Sequence, residues 1–116
     1  MQVLVTTDNH IEGSVRLSRY VESVVESVTG RFAKQVTRVE VHLTDENGGQ
    51  KVTENDHRCA MEARLAGLHP VAVTHKASSI DEALAGAGEK LEKALDKTID
   101  KVAHKKGRTS FSGRQS

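Results

Sequence analysis

The feature that most constrains this chain is a long run of regularly spaced apolar residues toward its C-terminal end. Ile80, Leu84, Ala87, Leu91, Leu95, Ile99 and Val102 recur at spacings of four and three, which puts them on one side of a helix. Such a helix draws its stability from an apolar surface on which the stripe can lie. Ser79 stands before it as an N-cap, with Asp81 and Glu82 in the first turn, where the helix dipole favours negative charge. The spacing predicts a helix that continues to Lys106. Gly86 and Gly88 interrupt it; each costs up to about 1 kcal/mol relative to alanine, so both are expected where the helix comes close to the sheet or to another helix.

The rest of the chain supplies the surface. Val3 and Val5 alternate with polar neighbours before the turn-like Asp8-Asn9-His10, predicting a strand over about 2–7. Ser14 is an N-cap for a helix over about 15–29, in which Leu17, Val21, Val24 and Val28 recur up to Gly30, a natural C-cap. Val24 and Val28 are expected to face a sheet. From Val36 to Thr44 the pattern V-T-R-V-E-V-H-L-T puts Val39, Val41 and Leu43 on one face and Arg38, Glu40 and His42 on the other. The stretch DENGGQKVTEND, 45–56, has no periodicity and reads as a long, mobile polar connection. A strand over about 57–66 follows, with Cys59, Met61, Ala63 and Leu65 inward and Arg58, Ala60, Glu62 and Arg64 outward. The outward charges of these two strands are expected to pair as opposites across the sheet, worth fractions of a kcal/mol per pair. Gly67-Leu68-His69-Pro70 forms a turn into a last strand, Val71 to His75, with Pro70 at its start or on an edge.

The order is β-α-β-β-β-α, an α+β two-layer sandwich: a four-stranded mixed sheet with two helices packed on one face. A right-handed crossover makes the first two strands parallel neighbours, and the later connections are hairpins. Residues 1–106 form a single domain, and 107–116 have the composition of a flexible tail.

Composition narrows the function. Tyr20, Phe32 and Phe111 are the aromatic residues, too few for a platform that stacks several bases. Cys59 is the single cysteine and has no internal disulfide partner. The start MQVLVTT lacks the basic and apolar regions of a signal peptide, and no apolar run nears the length of about 20 residues that spans a bilayer. A soluble, cytoplasmic protein with no membrane partner is expected.

The formal net charge of +1 conceals a segregation. Residues 1–89 carry nine Lys and Arg against thirteen Asp and Glu, or −4, whereas residues 90–116 carry eight against three, or +5. At about 100° per residue, Lys90, Lys93, Lys97 and Lys101 fall on one flank of the last helix, roughly 180° to 260° from the apolar direction, with Lys105 close behind. Glu89, Glu92, Asp96 and Asp100 occupy the opposite flank. A helix charged only for stability would alternate signs at i, i+4, yet Lys93, Lys97 and Lys101 are like charges at that step, each pair costing a few tenths of a kcal/mol. A row of ammonium groups about 6 Å apart approximates the phosphate spacing of a nucleic-acid strand and would release counterions on binding it. The competing reading is a solvated helix face. Arg16 and Arg19 lie on the first helix beside Glu22 and Glu26, a mixed field.

Other constellations carry no chemistry. His10, His42, His57, His69, His75 and His104 have no metal-ligand spacing. Cys59 lies among inward residues and reads as a small core residue, not a nucleophile. D-E-N-G-G lacks the bidentate glutamate of a calcium loop, and no glycine-rich phosphate cradle occurs. No catalytic residue, cofactor, metal or small-molecule substrate is expected, and an enzyme is disfavoured.

The element order, the wet strand R-V-E-V-H-L, the pair T-R-V-E-V-H-L-T-D-E-N-G and D-H-R-C-A-M-E-A-R, and above all K-L-E-K-A-L-D-K-T-I-D-K resemble a known family. It is the short form of the ribosome hibernation promoting factor and ribosome-associated inhibitor A family, also called sigma-54 modulation proteins. The likeness spans about residues 2–106. It implies a non-enzymatic protein that docks on ribosomal RNA of the small subunit, in the channel for messenger and transfer RNA, and blocks translation by occlusion. The family's basic stripe matches Lys90, Lys93, Lys97 and Lys101, extended by Lys105, Lys106 and Arg108; Arg16 and Arg19 match basic positions of the first helix. The family often has an aromatic where this chain has Asp81 and a bulky apolar residue where it has Gly88. The C-terminal dimerisation domain of the long form is not expected. The alternative is a protein-binding adaptor or stress regulator that uses the acidic 45–56 loop and the charged sheet face.

Overall fold

The structure is a computed structural model that describes residues 1–8, 11, 13–45 and 56–108, with 102–108 by backbone alone. Asn9 and His10 of the expected first turn, residues 46–55 of the polar connection, and 109–116 of the expected tail lie outside the described residues.

The alternating segments form β1 (Gln2–Thr7), β2 (Val36–Asp45), β3 (His57–Leu65) and β4 (Val71–Ala77), and the 3.6-period segments form α1 (Val15–Thr29) and α2 (Ile80–Arg108). The sheet order is β1-β2-β3-β4, with β1 parallel to β2 and the remaining pairs antiparallel. Both helices start where their caps require. Ser14 Oγ accepts from the Leu17 amide at 3.1 Å, and Ser79 Oγ accepts from the Glu82 amide at 3.1 Å.

The core lies between sheet and helices. Val39, Val41 and Leu43 from β2 and Cys59, Met61, Ala63 and Leu65 from β3 meet Leu84, Ala87, Leu91 and Leu95 of α2 and Val21 and Val25 of α1, all buried. Burial of each larger aliphatic chain contributes about 1.5–3 kcal/mol. Helix α2 lies over β3 and β4, and α1 lies beside it toward β1 and β2. The two helices run parallel: Asp81 lines a cleft with Ser14, Arg16, Leu17 and Tyr20 at one end, and Arg31 reaches Glu92 and Asp96 at the other. Among the described side chains of α2, Leu95 is the last that is fully buried, and Ile99 is partly buried. At 1.5 Å per residue the helix is about 43 Å long, so it outruns the sheet.

Several expectations are corrected. Val21 and Val25, not Val24 and Val28, form the fully buried stripe of α1. Val24 and Val28 pack against α2, where a Cβ added to Gly88 would stand 3.4 and 3.3 Å from their Cγ1 atoms. Gly30 is not a left-handed cap: its φ of −54° continues the helical sense into a 3-10 turn, Gly30–Phe32, that buries Phe32. Strand β4 runs two residues past His75, because Lys76 and Ala77 still pair with Arg58 and His57. Helix α2 continues past Lys106 to Arg108.

The pairing of surface charge also differs. The register sets Arg38 opposite Arg64 and Glu40 opposite Glu62, like against like. The ion pairs instead run along each strand, Arg38 to Glu40 at 2.8 Å and Arg64 to Glu62 at 3.6 Å. Side chains two apart share a face, so each arginine finds its partner on its own strand. The turn before β4 is as expected, with Gly67 at φ +75°.

Candidate nucleic-acid interface

The sorting of charge on α2 follows from how the helix is seated. Its apolar stripe faces the sheet, which turns one flank toward α1 and the other toward the free edge of β4. The acidic flank faces α1: Arg31 lies 3.8 Å from Glu92 and 3.6 Å from Asp96, with its guanidinium 4.7 Å from the centre of the Phe32 ring. Sequence reasoning missed Arg31, since it sits in a turn that carries no periodicity signal. Its effect is to neutralise part of the acidic flank and so leave the helix's field more positive.

On the other flank, Lys93, Lys97 and Lys101 are exposed, one helical turn apart. Lys90 is placed differently. Its Nζ donates to the Thr74 carbonyl of β4 at 2.9 Å, which ties the start of the stripe to the sheet edge. The side chains of Lys105, Lys106 and Arg108 lie outside the description, although the helix backbone carries all three. Arg16 and Arg19 do not join this row. Arg16 lines the cleft of about 380 Å³ with Asp81, and Arg19 stands by Ser18 and Glu22 on α1, which lies on the acidic side of α2. The structure thus brings together Lys90, Lys93, Lys97 and Lys101 and leaves the two arginines apart.

The remaining chemistry-bearing side chains fall into two groups. Cys59 is fully buried, and burial pushes its thiol up to about 12, against a smaller lowering by Arg58. A thiol held protonated is a core group rather than a nucleophile. The second group was not foreseen from the sequence. Asp45, Asp56 and His57 meet where β2 and β3 adjoin the 46–55 connection, their donor atoms within 4.8 Å of one another. The imidazole Nδ1 lies 2.9 Å from Asp56 and Nε2 3.9 Å from Asp45. The imidazole thus stands between the two carboxylates at ion-pair distances, without the alignment of a hydrogen bond at Nδ1. The signal was present in the register, since Leu43 opposite Cys59 sets Asp45 opposite His57. His42 points away from the core with nearly half its side chain exposed, far from forming a pair with the inward Cys59.

The chain is thus a two-layer β-α-β-β-β-α domain whose last helix carries its cationic side chains on one flank. The chain belongs to the sigma 54 modulation protein / S30EA ribosomal protein family, whose model matches residues 4–103. It is similar in fold to the N-terminal domain of Protein Y from Thermus thermophilus, at 19% identity and a TM-score of 0.68, over 84% of this chain and 99% of that one. It is also similar to a ribosomal subunit interface protein from Coxiella burnetii, at 13% identity and a TM-score of 0.70, over 86% of this chain and 99% of that one. No curated protein sequence matches. Among the described residues, no helix is long and apolar enough to cross a membrane.

Proposed function

We propose that this chain is a cytoplasmic, ribosome-associated hibernation factor that binds ribosomal RNA of the small subunit through α2 and occludes the channel for messenger and transfer RNA. The observation that carries the reading is the row Lys93, Lys97 and Lys101, exposed at one-turn intervals on a helix that projects past the core. Lys105, Lys106 and Arg108 extend the row in sequence. Family membership supplies the ribosomal context, as do the names of the two structural neighbours, a Protein Y domain and a ribosomal subunit interface protein.

Lys90 contributes as a positioning residue, since its ammonium group is held on the Thr74 carbonyl. Arg16 and Arg19 form a second, separate basic contact on α1. With few aromatics to stack on bases, recognition rests on phosphates and shape. The activity is that of a binding protein rather than an enzyme. Residues 1–106 act as one domain, whose last helix runs on to Arg108.

The test is cosedimentation with small ribosomal subunits. Binding is expected to weaken with salt and to be lost in Lys93→Glu/Lys97→Glu. Equal binding by that variant overturns the assignment of the stripe. Capture of the protein from ribosome-free lysate in a manner that depends on Asp45 and Glu46 would favour the adaptor instead.

A further inference from the structure

Strands β1 and β4 are the two outer strands of the sheet, and they are protected very differently. Strand β4 follows Pro70, carries Lys76, and has its Thr74 carbonyl occupied by the Lys90 ammonium group at 2.9 Å. Proline, lysine and a blocked carbonyl are the devices that keep an edge from pairing with another strand. Strand β1 has the sequence QVLVTT, with no charge and no proline.

The helix layer covers β1 only in part. Val3 and Val5 are only partly buried, while their register partners Val39 and Val41 are completely buried. On the opposite face Leu4 is 39% exposed beside Glu40. Among the described residues nothing pairs with the outer side of β1, so the edge presents a row of backbone groups flanked by apolar side chains on both faces.

We propose that β1 pairs with β1 of a second copy of this chain, antiparallel about a two-fold axis at Leu4, to make one continuous eight-stranded sheet. In this register Leu4 lies opposite the partner's Leu4, Val3 opposite the partner's Val5, and Gln2 opposite the partner's Thr6. Residues directly opposite in an antiparallel pair share a face, so Val3 and Val5 of both copies stay on the helix side and extend the two cores toward each other. The pairing uses the uncharged stretch of β1 and leaves Asp8 outside.

A second copy fits this edge because self-pairing sets no like charges against each other and because the two-fold closes. Each copy contributes its β1 edge, and the outer strands of the dimer are then the guarded β4 edges, so assembly stops at two. Two six-residue strands bury less than a standard interface, which makes the association weak and reversible. The lysine row lies on the β4 side of each copy, away from the axis, and the inference does not depend on what that row binds.

The experiment is sedimentation velocity on the full chain from micromolar to millimolar concentration, with Leu4→Lys and Leu68→Lys as variants. Leu4→Lys puts two like charges at the axis while giving Glu40 an opposite neighbour, so the fold is retained, as circular dichroism will verify. Leu68 is an exposed apolar residue after β3, 38% exposed, and serves as the control. The wild type is expected to rise from monomer to dimer mass, Leu4→Lys to associate at least about tenfold more weakly, and Leu68→Lys to match the wild type. In the wild-type dimer, β1 amide exchange is expected to slow. The proposal is overturned by a wild type that stays monomeric throughout, by Leu4→Lys associating as well as wild type, or by growth beyond twice the monomer mass.

Discussion

Gly86→Ala offers a test of how closely α2 is seated on the sheet. An alanine at an ordinary helix interior position stabilises it by up to about 1 kcal/mol relative to glycine. Here the added Cβ would overlap the imidazole of His75, on the helix-facing side of β4. Overpacking a filled site costs about 1–3 kcal/mol, so the net change is a loss of up to about 2 kcal/mol, and roughly 4 °C in Tm for each kcal/mol in a domain near this size. His75→Ala removes the obstacle, and in that background Gly86→Ala should stabilise by up to about 1 kcal/mol. Urea unfolding of the four proteins gives the coupling between the two sites, expected at about 1–3 kcal/mol because it isolates the overpacking. A coupling below about 0.5 kcal/mol, or a stabilising Gly86→Ala in the wild-type background, refutes the close approach.

Gly88→Ala should be near neutral in the same assay, because its Cβ would meet the Val24 and Val28 methyls at 3.4 and 3.3 Å, a tight fit that offsets the gain in helix propensity. Leu91→Ala deletes a fully buried side chain between α2 and the sheet and is expected to cost about 2–5 kcal/mol, read as a lower urea midpoint. For Cys59, ionisation is held off in the folded state from the usual 9.0 to about 12. Its contribution to stability is therefore full below pH 9 and declines as pH rises from there toward 12. The fall in urea midpoint above pH 9 should be shallower in Cys59→Ala, and native Cys59 should react slowly with a thiol reagent at pH 8 until urea exposes it.

The elements with strict periodicity were legible in the sequence. Val39-Val41-Leu43 and Cys59-Met61-Ala63-Leu65 alternate because one sheet face is covered, and the α2 stripe repeats because one helix side is. Their faces and approximate ends follow from pattern alone. What depends on the distance between elements did not. Val24 and Val28 look like sheet-facing residues on a helical wheel, yet the space beside Gly88 draws them toward α2. Gly30 reads as a stop, but burial of Phe32 carries the chain through another turn. Cross-strand charge pairing depends on register, which alternation leaves open, and the actual register opposes Arg38 to Arg64. At the candidate site the lysine row was readable because it lies on one element. Arg31 against Glu92 and Asp96, Lys90 on Thr74, and the meeting of Asp45, Asp56 and His57 each join two elements and needed the fold.

The central claim is that the exposed lysines of α2 contact phosphates. It is tested most directly by the salt dependence of binding to small ribosomal subunits, for the wild type and for Lys93→Gln/Lys97→Gln. Each phosphate contact contributes about 0.7–0.9 to the slope of log K against log salt concentration. The double substitution should therefore lower the slope by about 1.4–1.8 and weaken binding at low salt. An unchanged slope with unchanged affinity would contradict the account.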